Sequence, residues 1–319
     1  MEILDTVNNL DIVNSTNIID SELKNRFKNG VFCPYCSSKN IKKHGKYKNR
    51  HRYICKDCFK SFNDLTCTVF SGTHNLKKWN NFLYSINNEV SLREEAKKIG
   101  LSHSTIFYWR HKVIRALNQD DNEGFYGITE VFHIRYPKTD KNPTHRFQKE
   151  HERIFQSLSR GGAFSAFVRP EWDRFWLVLT YERRGKITAN VLDNNSRDSD
   201  FKEFFEKRIH KGNIFSTWHY APITPMLQRM CKINKDIKLH NRDLGDSIYN
   251  PKYIFKFFKD YLDWQNNFYG ISTKYILDYI TWYKNLFYLK FEKSKESVCK
   301  LLKEILKNNS YLTNFSACL

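Results

Sequence analysis

Apolar and polar positions follow three rhythms along this chain of 319 residues, and the changes of rhythm divide it. In residues 1–30, Ile3, Leu4, Val7, Leu10, Ile12 and Val13, then Ile18, Ile19 and Leu23, fit one or two short helices with little to bury alone. Residues 63–74 (NDLTCTVFSGTH) are a turn-rich connector. Leu76, Trp79, Phe82, Leu83 and Ile86 then recur at helical spacing and predict a helix over 76–88. Ser91-Leu92-Arg93-Glu94 has the form of a capping box, and its helix carries Leu92, Ala96 and Ile99 on one face before stopping at Gly100. Ser102 caps a further helix whose buried side is Ile106, Trp109, Val113 and Leu117.

Past the polar stretch 118–124 the period shortens. Runs of β character cover 127–136, 175–181 and 187–192, the last two flanking a hairpin turn at Glu182-Arg183-Arg184-Gly185. Phe201, Phe204, Phe205 and Ile209 fit a helix, residues 213–217 a short strand, and the chain from Lys252 onward is helical and aromatic. The expected fold is multidomain α+β: a helical segment (1–30), a metal ribbon (31–74), a helical hairpin unit (75–118), an α/β domain with a central sheet (125–288) and a helical tail (289–319).

The cysteines give the ribbon its chemistry. Cys33-Pro34-Tyr35-Cys36 and Cys55-Lys56-Asp57-Cys58 are two CxxC pairs separated by eighteen residues. That spacing predicts a structural zinc site, because each pair forms a knuckle that sets two thiolates on one side of a tetrahedral ion and leaves no position for water. Unrelated thiols and a disulfide pair are the alternatives, and a reducing compartment disfavours the latter. Cys67, Cys231, Cys299 and Cys318 have no such spacing.

Charge points to the partner. Lys and Arg number 53 against 34 Asp and Glu, a net charge of +19. Such a surplus suits a nucleic-acid binder, although anionic membrane surfaces attract it too. No apolar run is long enough to span a bilayer, and the acidic, polar N-terminal stretch is unlike a signal peptide, so a cytoplasmic, nucleoid-associated protein without a membrane partner is expected. Within the ribbon, Lys42, Lys43, Lys46, Arg50 and Arg52 are interleaved with Tyr47 and Tyr53 and are candidates for phosphate contacts, the alternative being a solvated face that binds protein. Helix, Gly-containing turn and helix over 91–117 is the helix-turn-helix pattern, and an ordinary helical hairpin is its alternative. His103, Ser104, Thr105, Tyr108, Arg110 and His111 are expected on the exposed, DNA-reading side.

The segments CPYC…CKDCFKSFNDLT…TH and SLREEAKKIGLSHSTIFYWRHKV resemble the N-terminal half of bacterial insertion-sequence transposases of the DDE type that carry a zinc ribbon. Val191-Leu192-Asp193, the run from Arg208 to Ile214, and the run from Phe268 to Tyr279 (FYGISTKYILDY) look like the catalytic domain of that family. The likeness covers residues 30–288 and is loosest over 139–174. It implies a ribonuclease-H-like fold for the second half, double-stranded DNA as partner and, in active members, two Mg²⁺ ions held by three carboxylates.

Those carboxylates are missing where the resemblance puts them. Phe132 stands in the first position, within Glu130-Val131-Phe132-His133; Trp218 stands in the second, within Thr217-Trp218-His219; the third falls at 253–255, which holds no acid. Aromatic rings cannot ligate Mg²⁺, which takes oxygen donors. Glu130 and Asp193, with Asp243 or Asp246, are the candidates for a displaced site, set against solvated or ion-paired acids. His133, His219 and His240 have no ligand spacing. The reading that follows is a transposase-like DNA-binding protein without catalysis, its sheet domain a scaffold or the surface of a homodimer. The competing readings are an active Mg-dependent DNA transposase and a protein-interaction module.

Overall fold

A computed structural model describes residues 18–87, 91–117, 124–138, 174–193, 198–217, 223–240, 248–265, 267–268, 271–289 and 294–307. The apolar positions from Ile3 to Val13, the stretch 139–173, Trp218, His219, Asp243 and Asp246 lie outside the described residues. The chain forms two compact units, one of residues 1–119 with 285–319 and the other of residues 120–284.

The first unit opens with a helix over 18–25 (α1), whose Ile19 and Leu23 are buried. Strands β1 (Ile41–Tyr47), β2 (Arg50–Cys55) and β3 (Ser61–Phe62) make an antiparallel sheet in the order β1-β2-β3. Its small apolar centre is Cys33, Cys55 and Phe62, backed by Phe27, Val31, Ile41 and Tyr53. The connector over 63–74 is a chain of turns, as its composition suggests, but it is not a surface loop: Cys67, Thr68, Val69 and Phe70 are all buried.

Helices α2 (Lys78–Asn87), α3 (Leu92–Ile99) and α4 (His103–Leu117) follow close to their expected limits. Trp79 and Trp109 stack at 4.3 Å between α2 and α4, with Phe70 and Phe82 edge-on to Trp79. Ser91 accepts from the Glu94 amide at 3.4 Å and donates its hydroxyl to the Glu94 carboxylate at 2.8 Å, so the box closes side chain to side chain. Gly100 ends α3 at φ 68°, ψ 44°, a left-handed conformation that a Cβ disfavours. Helix α9 (Ser294–Lys307) packs on α2 and α4 through an apolar stripe that includes Val298, Leu301, Leu302 and Ile305. The expected separate tail over 289–319 is therefore corrected: its helix completes the core of the first unit.

The second unit is built on a five-stranded sheet in the order β6-β5-β4-β7-β8. Here β4 is Ile128–Pro137, β5 Arg174–Glu182, β6 Ile187–Asp193, β7 Ile214–Ser216 and β8 Lys238–His240. Strand β5 runs antiparallel to both neighbours, while β4, β7 and β8 are mutually parallel. The 182–186 hairpin closes as expected, with Gly185 N–H donating to Glu182 C=O at 2.8 Å. One face of the sheet, through Val131 and Val178, packs on α5 (Asp198–Glu206) and α6 (Thr224–Ile233). The other face carries Glu130, Phe132, Ile134 and Tyr136 and is covered by α7 (Lys252–Gln265), with Phe132 against Phe258 at 5.0 Å and Tyr136 donating to Gln265 at 3.3 Å. Helix α8 (Ile276–Leu289) adds Tyr279, Trp282 and Tyr283 around Trp264. Alternation along β4 thus sends one set of side chains to each helical layer.

His133, on the α5–α6 side of β4, lies half-buried beside Trp176, and burial pushes its pKa down to about 4. The unfolded chain takes up this proton near pH ~6.5, so the native state loses stability as pH falls from there towards about 4. Denaturant titrations across that window should show His133→Phe with a flatter pH dependence than the unmodified protein; parallel curves would contradict the assignment.

Candidate functional site

The two CxxC segments form matching knuckles. In the first, Ser37 N–H donates to Cys33 C=O at 2.8 Å and Cys33 N–H to Ser38 C=O at 2.8 Å; in the second, Cys55 N–H donates to Lys60 C=O at 3.1 Å. The knuckles are tied together by Asp57, which accepts from Ser38 at 2.5 Å and Asn40 at 3.0 Å. All four sulfurs lie within 4.8 Å of one another. Cys33 and Cys58 are 3.5 Å apart and Cys36 and Cys55 3.6 Å, too long for disulfides and close to the ~3.8 Å edge of a tetrahedron with ~2.3 Å metal–sulfur bonds. The amide of Cys58, and then that of Asp57, pull the Cys55 thiol down to about 7, against the opposing effect of burial. Four cysteines so placed could hold a metal ion such as zinc, and a closed set of four sulfur ligands is structural.

Around this centre the predicted contact residues divide. Lys42, Lys43 and Lys46 are exposed along β1. Arg52 is half-buried and donates to Ser61 at 3.2 Å. Arg50 is committed within the unit: it pairs with Asp20 at 2.6 Å and with Asp64, joining α1 and the connector to the ribbon. On α4, His103, Ser104 and Tyr108 are exposed, whereas the Thr105 hydroxyl lies 2.7 Å from that of Ser102, which caps the helix.

Two residues expected on that face are not there. Arg110 is fully buried and pairs with the equally buried Glu95 of α3, and His111 is 4% exposed. The ion pair links α3 to α4. Helical periodicity within α4 cannot reveal a partner supplied by another helix.

In the sheet, Glu130 is fully buried and does not present a free carboxylate. Its Oε2 accepts from the Tyr253 and Ile254 amides at 2.8 and 2.9 Å, at the start of α7; its Oε1 accepts from Arg183 Nε and Nη2 at 3.1 and 3.0 Å. Arg183 also donates to Asn250 C=O at 3.1 Å. Burial raises the Glu130 pKa, while these donors favour the charged form. Asp193 closes β6 opposite Phe175, which in turn pairs with Tyr136, six residues along β4 from Glu130. That offset is about 20 Å, so Glu130 and Asp193 cannot share an ion, and the displaced site built on them is corrected. Phe132 instead meets Phe255 of α7 with ring centroids 5.9 Å apart. Arg183 and the α7 amides are the site residues missed in the sequence, where the turn Glu182–Gly185 gave no sign of a partner.

The region matched by a protein described as uncharacterized in transposable element ISH50 of Halobacterium salinarum is 37% identical over 140 residues, 43% of this chain and 46% of that relative. The match thus spans about half the relative's length and supports an insertion-sequence-related protein. No protein-family model matches the chain. Among the described residues no helix is long and apolar enough to cross a membrane.

Glu130→Ala strands the Arg183 charge and two helix amides, and should destabilise the protein by about 3 kcal/mol. Equilibrium unfolding in denaturant reads this directly; an unchanged midpoint would show that the carboxylate does not hold α7.

Proposed function

We propose that this is a transposase-like DNA-binding protein that does not carry out metal-dependent phosphoryl transfer. The observation that carries the reading is Phe132, at the first carboxylate position that the family resemblance implies, buried and packed against Phe255 and Phe258 of α7. An aromatic ring there offers no oxygen ligand of the kind Mg²⁺ demands. Glu130, two residues from Phe132 on the same face, has both oxygens occupied by amides and a guanidinium. A ribonuclease-H-like fold is supported by the order β6-β5-β4-β7-β8, with only the second strand in sequence antiparallel.

DNA is held by the first unit. Zinc orders the ribbon, which has too small an apolar centre to stand without it, and so fixes the row Lys42, Lys43 and Lys46 for phosphates. The first turns of α4, with His103, Ser104 and Tyr108, act as the recognition end of a helix-turn-helix. Arg110 plays no direct part; paired with Glu95, it fixes the angle between the two helices.

Fluorescence anisotropy with a labelled duplex over a range of salt concentrations tests this. Affinity should fall steeply with salt, and replacing Lys42, Lys43 and Lys46 by Ala should reduce the log–log slope by about 1 per lysine. Cys36→Ser should lose zinc and most of the affinity. Salt-independent binding, or full binding by metal-free Cys36→Ser, would contradict the proposal.

A further inference from the structure

In each knuckle the residue after the second cysteine is left-handed: Ser37 at φ 60° and Phe59 at φ 58°. A small polar residue tolerates that conformation, and glycine adopts it without strain. A bulky aromatic there is an outlier, kept only where the surroundings impose it or a function uses it. The metal knuckle imposes the backbone but not the phenyl ring.

The ring does nothing for the core. Phe59 is 77% exposed, whereas Phe62, three residues on, is 3% exposed and stacks on Tyr53 at 5.6 Å. The apolar need of the ribbon is met by Phe62. Phe59 projects from the second knuckle, immediately after the candidate metal ligand Cys58.

Its surroundings are cationic. Lys56 and Lys60 flank it and are exposed, and Lys60 extends over the ring of Tyr35, itself 43% exposed, at 4.8 Å. The nearby acid, Asp57, is engaged by Ser38 and Asn40. An exposed aromatic between lysines is complementary to a polyanion with an apolar, stackable interior. Duplex DNA offers both at each base step, phosphates outside and base faces within.

We infer that Phe59 is a wedge that enters a base step of duplex DNA, with Lys56 and Lys60 on the adjoining phosphates. The inference rests on the reading of the protein as a DNA binder and adds the residue that deforms the duplex. Strain in the free protein is tolerated because the ring is used in the complex.

The test uses the full-length, zinc-loaded protein and a short mixed-sequence duplex carrying 2-aminopurine, whose fluorescence rises when it is unstacked. Phe59→Gly relieves the backbone, so it should raise the thermal midpoint and retain zinc. It should also keep the salt slope, yet bind about tenfold more weakly, within the range for one aromatic–base contact, and abolish the fluorescence rise. Phe59→Trp should preserve both affinity and the rise. Unchanged affinity and fluorescence in Phe59→Gly overturn the wedge, as does a dimer that becomes monomeric in this variant with DNA affinity intact, which would make Phe59 a contact between copies. Salt-dependent binding by the unmodified protein without any fluorescence rise also removes the wedge but leaves DNA binding standing. No salt-dependent binding at all removes both.

Discussion

One buried carboxylate organises the second unit. Glu130 leaves β4 near its start and is held by two amides of α7 and by the Arg183 guanidinium, so strand, hairpin turn and helix meet at a single group. A carboxylate at a helix N-terminus satisfies donors that the helix cannot satisfy itself and interacts favourably with the helix dipole. With α7 fixed in this way, Phe132 packs against Phe255 and Phe258. The arrangement is a layer of packed aromatic rings. A site for divalent ions needs the reverse: converging oxygens and access for water.

The first unit solves a different problem. Its sheet of three short strands has a core cluster of only Cys33, Cys55 and Phe62, so a metal held by the four cysteines would contribute what a larger core otherwise supplies. That surface is cationic on β1 and carries two exposed aromatics, Tyr35 within the first knuckle and Phe59 after the second. Behind it, the helices are locked by the Trp79–Trp109 stack and the Glu95–Arg110 pair. Among the described residues, the first unit presents exposed lysines on β1, while Glu130 and Phe132 of the second are buried in its packing.

Much of this was legible in the sequence, for local reasons. The two CxxC pairs, the Ser91 box, the Gly100 stop and the 182–185 turn are short-range features whose geometry depends on a few adjacent residues. Helix α6 and strand β8 are not anticipated: β8 has three residues and, unlike β7 after Gly212, no glycine turn before it to mark its start, and α6 begins with Pro225 at its N-terminal edge. The burial of Arg110 is matched by Glu95 of α3, which in LREEAKKI looks like one more solvated acid. The partners of Glu130 were hidden for the same reason. Burial of a charge is decided by what returns to cover it, and that information is not local.

The most direct measurement is a titration of Mn²⁺ into the zinc-loaded, full-length protein, with and without duplex DNA, followed by electron paramagnetic resonance of the free ion. A packed aromatic layer and a saturated Glu130 predict that the free-ion signal follows the added Mn²⁺ with no protein-dependent loss beyond that due to DNA alone. A stoichiometric site that Phe132→Asp strengthens and Glu130→Gln abolishes would contradict the account and place an ion where the rings are.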